Sequence, residues 1–221
     1  MSTILNEIEV RVLGSLIEKQ VTTPEYYPLT LNSLTLACNQ KNNRNPLTSY
    51  NETAVAAALE TLREKNLVYV YYGSTSRVPK YKHVVPEVLR LNQPQVALMC
   101  VLLLRGPQTI GELRGSASRL YEFSGLEEVE TTLNSLISRE PEVLVVRLER
   151  QAGQKEVRFA HLLSGAVSIE PSAEREYQPR TNRLSSGESD RVTLLAQEVG
   201  SLKAEIRSLQ QQFENFKKQF E

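Results

Sequence analysis

Residues 49–85, SYNETAVAAALETLREKNLVYVYYGSTSRVPKYKHVV, predict a helix followed by a β-hairpin. Ser49 and Glu52 have the spacing of a capping box, which begins a helix by satisfying two backbone N–H groups. The apolar residues that follow recur at helical spacing: Val55, Ala58, Leu59 and Leu62. Residues 67–72 are then rich in Val and Tyr, as strands are. A turn at 73–76 and a return strand at 80–85 complete the hairpin.

Two further helices are predicted upstream of this segment. Residues 5–19 place their apolar side chains on one helical face, and residues 30–39 form a second helix after a connection that contains Pro24 and Pro28. Three helices followed by a hairpin is the arrangement of a winged helix-turn-helix domain.

The same order repeats in residues 89–165. Helices are predicted from residue 94 to 104, after a capping box at Thr109–Glu112 and after another at Ser124–Glu127. Strands are predicted at 143–148 and 158–163, and the second of them matches 80–85 in residue type at five of six positions. His83 and His161, the two histidines of the chain, occupy the same place in these strands. This equivalence favours a shared role in folding over catalysis.

The fold class that we predict is therefore mainly α with small β-hairpin wings (α+β). It comprises two tandem winged helix-turn-helix domains followed by a C-terminal coiled-coil helix. The domains are residues 1–88 and 89–165, a linker follows at 166–187, and the coiled-coil helix spans 188–221.

The coiled-coil prediction depends on an unbroken 3-4 spacing of apolar residues near the C-terminus. Position a holds Val192, Val199, Ile206, Phe213 and Phe220, and position d holds Leu195, Leu202, Leu209 and Phe216. β-branched residues at a with Leu at d favour a parallel dimer, so we expect a homodimer through this helix. The alternative is an amphipathic helix that folds back on its own chain.

Several segments of the first half resemble the YceH family of bacterial proteins, which carry a domain of unknown function. The resemblance is found in residues 5–19, in LTLNSLTLACNQK at 29–41, in NRNP at 43–46 and in RVPKY at 77–81. It implies tandem winged-helix domains and a bacterial cytosolic protein. It implies no reaction, ligand or site.

Candidate DNA-binding residues lie in three places in the first half. They are the asparagine-rich segment between the second and third helices, the start of the third helix and the hairpin. The candidates are Lys41, Asn42, Asn43, Arg44, Ser49, Tyr50, Asn51, Arg77, Lys80 and Lys82.

Two observations weaken this interpretation. The five Asn and Gln residues between Asn39 and Asn45 can instead satisfy backbone groups of a turn. The third helix is expected to expose Ala and Glu, whereas a helix that reads bases usually exposes Arg, Lys, Asn or Gln. In the second half, the corresponding helix begins with Glu127, Glu128 and Glu130, which suit a helix dipole but repel phosphate.

Composition argues against most other function classes. Lys plus Arg and Asp plus Glu both number 26, so any basic surface must be local. Cys38 and Cys100 lie in apolar helical stretches and are predicted to be buried, reduced thiols. We find no metal-ligand spacing, nucleophile with a base or complete phosphate loop, and therefore expect no cofactor and no enzymatic activity. No signal peptide or long apolar run is visible, so we expect a cytoplasmic protein without membrane association.

The sequence thus favours a dimeric, DNA-associated protein, such as a transcriptional regulator, that contacts duplex DNA through its first domain. The alternative is a non-enzymatic scaffold whose tandem winged helices bind partner proteins.

Overall fold

The computed structural model describes residues 4–72, 78–150 and 156–165, and their fold is α+β, as predicted. These ranges contain seven α-helices and five strands. The helices are α1 (Glu7–Thr22), α2 (Leu31–Cys38), α3 (Glu52–Glu64), α4 (Val85–Val88), α5 (Gln93–Arg105), α6 (Ile110–Ala117) and α7 (Leu126–Ile137). The strands are β1 (Leu29–Thr30), β2 (Val68–Tyr71), β3 (Lys80–His83), β4 (Val145–Arg147) and β5 (Phe159–His161). The predicted linker at 166–187 and coiled-coil helix at 188–221 lie outside the described residues.

Side chains that cap the helix N-termini explain where several helices begin. The predicted capping box at Thr109 and Glu112 is confirmed at the start of α6. The box predicted at Ser49 is wrong, because Asn51 is the N-cap of α3 and its Oδ1 accepts a hydrogen bond from the N–H of Ala54 at 2.9 Å. An Asn directly before the first helical residue satisfies the same orphan N–H groups, so Ser49 is not needed.

The box predicted at Ser124 and Glu127 is also wrong, because it is displaced by one residue. Glu128 accepts hydrogen bonds from the N–H and the Oγ of Ser124, both at 2.8 Å. Gly125 is the N-cap of α7 and contributes no side-chain bond.

A three-stranded antiparallel sheet closes the first half, with the order β1-β3-β2. The hairpin pairs Val68 with His83 and Val70 with Tyr81. β1, which the sequence did not predict, adds Leu29 opposite Tyr81. Alternate residues point to opposite faces of a sheet, so this register directs one face toward the helices and the other toward solvent.

The second half repeats this pairing. Val145 lies opposite His161 in the β4–β5 hairpin, as Val68 lies opposite His83. An isolated bridge joins Gln108 to Phe159 directly before α6, in the place that β1 takes before α2. The two predicted return strands therefore occupy equivalent positions in their hairpins.

The two halves share one continuous hydrophobic core, which runs from Leu5 to Leu163. Helices α1 and α5 form its centre, and Gly14 of α1 packs directly against Leu104 of α5. A Cβ atom at position 14 would lie 2.8 Å from Leu104 Cδ2, so a larger residue here would force the leucine side chain to move. No helix in the described ranges combines the length and the apolar content needed to cross a lipid bilayer.

Candidate nucleic-acid interface

Arg44 is the candidate residue whose position differs most from the prediction. Its side chain is buried, and its guanidinium donates to Glu18 Oε2 at 2.6 Å and to the carbonyl oxygen of Ala37 at 2.8 Å. An exposed cation was expected at this position. Arg44 is therefore removed from the candidate DNA-binding residues, because its charge is already paired inside the protein.

Glu18 joins the two halves of the chain because it pairs with Arg119 of the second half as well as with Arg44. Its Oε1 atom accepts from Arg119 Nη2 at 3.0 Å, while Oε2 accepts from Arg44. Burial alone would raise the pKa of Glu18, but the hydrogen bonds and charges of Arg44 and Arg119 outweigh burial and lower the pKa below its usual range. Glu18 is thus a buried carboxylate between one buried and one half-exposed arginine.

Arg11 binds two backbone carbonyl groups, at the end of α2 and in the segment that connects α2 to α3. It donates to the carbonyl oxygens of Cys38 at 3.2 Å and Pro46 at 2.6 Å from within the core. Burial lowers the pKa of Arg11, and the neighbouring charge of Arg44 lowers it further. Sequence analysis missed both Arg11 and Glu18, although they lie seven residues apart on α1 between apolar positions. That spacing on the buried face of a helix was the available signal.

The asparagines of the loop mainly bind protein groups. Asn39 accepts from the N–H of Tyr50 at 2.8 Å and donates to its carbonyl oxygen at 2.7 Å. Asn43 accepts from Arg105 Nη2 at 3.3 Å, and the N–H of Asn45 donates to the carbonyl oxygen of Leu104 at 2.9 Å. Asn39, Asn43 and Asn45 therefore favour the alternative in which the asparagines stabilise the loop, because their polar groups hold it against α3 and α5.

The polar residues that remain exposed are fewer than the sequence predicted. Lys41 and Asn42 are exposed at the loop, and Ser49 and Asn51 are exposed before α3, where Tyr50 is half-buried. The exposed face of α3 is mixed in charge, since Glu60 pairs with Arg63 at 2.7 Å. This helix presents carboxylates where a base-reading helix would present donors.

The hairpin contributes Lys80 and Lys82, which lie on the face that points away from the core. Lys82 is opposite Tyr69 and Lys80 is opposite Tyr71, and both tyrosines are exposed. Sequence analysis selected the lysines and missed the tyrosines, although alternation along the strand had placed them on one face. Arg77 lies outside the described residues.

The N-terminus of α7 in the second half is occupied by the protein's own carboxylate. Glu128 accepts from Ser124 and from the hydroxyl of Tyr121 at 2.9 Å. The hydrogen bonds from Ser124 lower the pKa of Glu128, and the bond to Glu128 raises the pKa of Tyr121. A phosphate would compete with this charge, which agrees with the prediction that the second half is the poorer candidate.

The histidines and cysteines lie inside the fold. Burial lowers the pKa of His83 and of His161 to about 4, so both are neutral near pH 7. The prediction that Cys38 and Cys100 are buried free thiols is confirmed. Burial raises the pKa of Cys38 to about 11 and also raises the pKa of Cys100, which suppresses the reactive thiolate.

The chain is thus a small α+β protein whose first half carries a candidate anion-binding surface. This surface comprises the exposed polar loop, the start of α3 and the hairpin. Comparison with known proteins places the chain in a family. Residues 5–154 match the family described as "Protein of unknown function, DUF480", and the chain belongs to this family.

Several relatives share about half of their residues with this chain. A UPF0502 protein of Pelobacter propionicus is 50% identical over 224 residues, which cover 100% of both chains. A UPF0502 protein of Geobacter sulfurreducens is 49% identical over 222 residues, again covering 100% of both. A UPF0502 protein of Opitutus terrae is 52% identical over 184 residues, or 82% of this chain and 80% of the relative. The relationship to a bacterial family, expected from the sequence, is confirmed by these matches.

Proposed function

We propose that this protein is a non-enzymatic, DNA-associated homodimer, such as a transcriptional regulator, built from two tandem winged helix-turn-helix units and working in the cytoplasm. The observation that carries the proposal is the repeated order of three helices and an antiparallel hairpin, α1-α2-α3-β2-β3 and α5-α6-α7-β4-β5. Proteins with this order most often bind duplex DNA through the third helix and the hairpin.

The first half is the one that we assign to DNA. Lys41 and Lys82 are exposed and form no ion pair within the described ranges, and Lys80 accompanies Lys82 on the hairpin. Glu128 at the start of α7 disfavours the same role for the second half.

The proposed mode of binding is mainly electrostatic. The exposed face of α3 carries Glu52 and the Glu60–Arg63 pair, so it offers few groups for reading base edges. Binding of phosphates by lysine holds the protein on the duplex without selecting a sequence. We therefore propose that recognition of a particular site depends on pairing of two protomers, which the heptad segment at 188–221 would supply.

Charge-removing variants test this assignment. Lys41→Ala combined with Lys82→Ala is expected to weaken binding to mixed-sequence duplexes about equally for all sequences. It should also reduce the slope of log K against log salt by about 2, because each phosphate that the protein no longer neutralises lowers the slope by about 1. Fluorescence anisotropy of a labelled duplex at several salt concentrations gives both quantities.

Arg114→Ala is the matched control, because Arg114 is an exposed cation on α6 in the second half. Its salt slope is expected to equal that of the unaltered protein. Equal slopes for the double variant and the control would remove Lys41 and Lys82 from the interface.

The scaffold alternative is favoured by a different observation. Leu36 on α2 and Leu47 in the following loop are 65% and 62% exposed, and both flank the asparagine-rich segment in the sequence. Exposed apolar side chains are typical of protein-binding surfaces. Pull-down with the unaltered protein and with Leu36→Ser, Leu47→Ser would test this role if no DNA binding is found.

A further inference from the structure

The outward face of the three-stranded sheet combines aromatic rings with positive charge. Tyr69 and Tyr71 lie on the edge strand β2, and Lys82 and Lys80 lie directly opposite them on β3. The two tyrosines are each 47% exposed. Thr30 of β1 lies beside Lys80 and completes the row across the sheet.

The hydrophobic core does not account for this arrangement. The alternate positions of the same strands, Val68, Val70, Tyr81 and His83, face the helices and are buried or half-buried. Tyr69 and Tyr71 are two residues apart, so their rings leave the same face about 7 Å from each other. Aromatic side chains are usually buried, so two neighbouring exposed rings indicate a surface that binds another molecule.

The charge of the face identifies the kind of partner. Neither Lys80 nor Lys82 forms an ion pair with an acidic side chain within the described ranges. Adjacent cations without acidic partners favour a polyanion, and exposed rings favour a ligand with flat aromatic faces. Nucleic acid combines both properties.

We propose that this face binds single-stranded nucleic acid, with bases stacked on Tyr69 and Tyr71 and phosphates contacting Lys80 and Lys82. In a duplex the bases stack on one another and present only their edges, so the tyrosine rings cannot stack on them. An unpaired strand can turn its bases onto a sheet, as in sheet-based RNA-binding domains. The inference rests on the proposed nucleic-acid function, because it shares Lys80 and Lys82, but it adds a ligand with unpaired bases.

The test compares three fluorescent probes with the full-length protein at low salt. They are an oligo(dT) strand of about 15 nucleotides, an abasic strand of the same length and charge, and a mixed-sequence duplex. We expect the oligo(dT) strand to bind at least tenfold more tightly than the abasic strand, because only the former can stack. Equal affinities would overturn the inference, since they would show that charge alone binds the strand.

Substitution of the rings locates the stacking site. Tyr69→Thr combined with Tyr71→Thr retains residues suited to a strand and is expected to weaken oligo(dT) binding at least tenfold. Duplex affinity should change less than twofold. Tyr26→Thr is the matched control, because Tyr26 is 72% exposed outside the sheet, and it should bind oligo(dT) normally.

Tyr69→Phe combined with Tyr71→Phe keeps both rings and should bind like the unaltered protein. If circular dichroism shows that the Thr variant is unfolded, the comparison of oligo(dT) with the abasic strand still tests whether bases contribute to binding, because it needs no substitution. Unchanged oligo(dT) affinity in a folded Thr variant would overturn the inference and point to a protein partner for this face. Binding to the duplex but not to oligo(dT) would overturn this inference alone, whereas binding to neither would overturn the proposed function as well.

Discussion

Glu18 shows how a single buried charge organises the candidate interface. It accepts from Arg44 and Arg119, and Arg44 in turn binds the carbonyl oxygen of Ala37 at the end of α2. Removal of one partner of a buried ion pair leaves the other charge without compensation, which is much more costly than loss of an exposed pair. The loop that carries Lys41 and Asn42 therefore depends on a carboxylate from α1.

Glu18→Gln is expected to lower the free energy of unfolding by about 3–5 kcal/mol, because the buried guanidinium of Arg44 loses its counter-charge. Urea unfolding followed by circular dichroism measures the change. Glu60→Gln is the matched control, since the Glu60–Arg63 pair is exposed, and it should change stability by less than about 1 kcal/mol. Similar losses in the two variants would contradict the role assigned to Glu18.

The buried His83 and the half-buried His161 predict a loss of stability in mild acid. Their pKa values of about 4 in the folded protein lie below the ordinary value of 6.5, so the unfolded chain binds protons first as the pH falls. The stability that they contribute is complete above pH 6.5 and decreases down to about pH 4. At pH 5 the loss is about 2 kcal/mol for each histidine.

Urea unfolding between pH 7 and pH 5 tests this prediction with the unaltered protein and with His83→Gln combined with His161→Gln. The double variant should show a flatter pH dependence over this range. The lowered pKa values of Glu9 and Glu18 act below about pH 4.5, so these carboxylates do not account for a change at pH 5–6.5. An identical pH dependence in both proteins would exclude the histidines as its cause.

At the scale of elements, the two halves meet where Gly14 of α1 packs against Leu103 and Leu104 of α5. Gly14→Ala places a Cβ 2.8 Å from Leu104 Cδ2 and 3.2 Å from Leu103 Cβ, so side chains must move. Such overpacking costs about 1–3 kcal/mol and exceeds the gain of up to about 1 kcal/mol in helix propensity. The variant should have a lower melting temperature than the unaltered protein.

Gly115→Ala on α6 is the matched control, because a Cβ at position 115 meets no atom within 4 Å. Here only the helix propensity changes, so the melting temperature should rise. A Gly14→Ala protein that is more stable than the unaltered one would show that the helices are not as close as described.

The elements with strong apolar periodicity could be predicted from the sequence. The predicted helices at 5–19 and 94–104 overlap α1 and α5, since burial of one face imposes that period. β1 was missed because two residues carry no periodic signal. Arg11 and Glu18 were missed because charged residues on a helix are expected at the surface, and only the folded loop supplies the carbonyl oxygens and arginine that compensate them.

Only part of the candidate interface could be predicted from the sequence. Lys41, Asn42 and Lys82 are exposed, as a DNA-binding role requires, but the sequence does not distinguish them from the buried Arg44 in the same loop. The distinction comes from interactions between residues distant in the chain, such as Arg44 with Glu18. The exposed pair Tyr69 and Tyr71 required the strand register, which fixes the face of the sheet they occupy.

For the whole molecule, residues 4–165 belong to one compact unit with a shared core. The proposal that two copies assemble through the heptad segment at 188–221 is tested by a mass measurement. Deletion of residues 188–221 is expected to reduce the mass measured by light scattering from that of two chains to that of one shortened chain. Ile206→Asp combined with Leu209→Asp in the full-length chain places charges in the proposed seam and should have the same effect. A monomeric full-length protein would favour a helix that folds back on its own chain.

The most direct test of the central claim is the affinity of the full-length protein for a mixed-sequence duplex at ~50 and ~200 mM salt, measured by fluorescence anisotropy. If each bound chain neutralises about three phosphates, the dissociation constant should rise about 40-fold or more between these concentrations. That result would support a phosphate-binding surface on the protein, which the Lys41 and Lys82 variants then locate. Absence of binding at micromolar protein and ~50 mM salt would contradict the proposed DNA association and favour the scaffold.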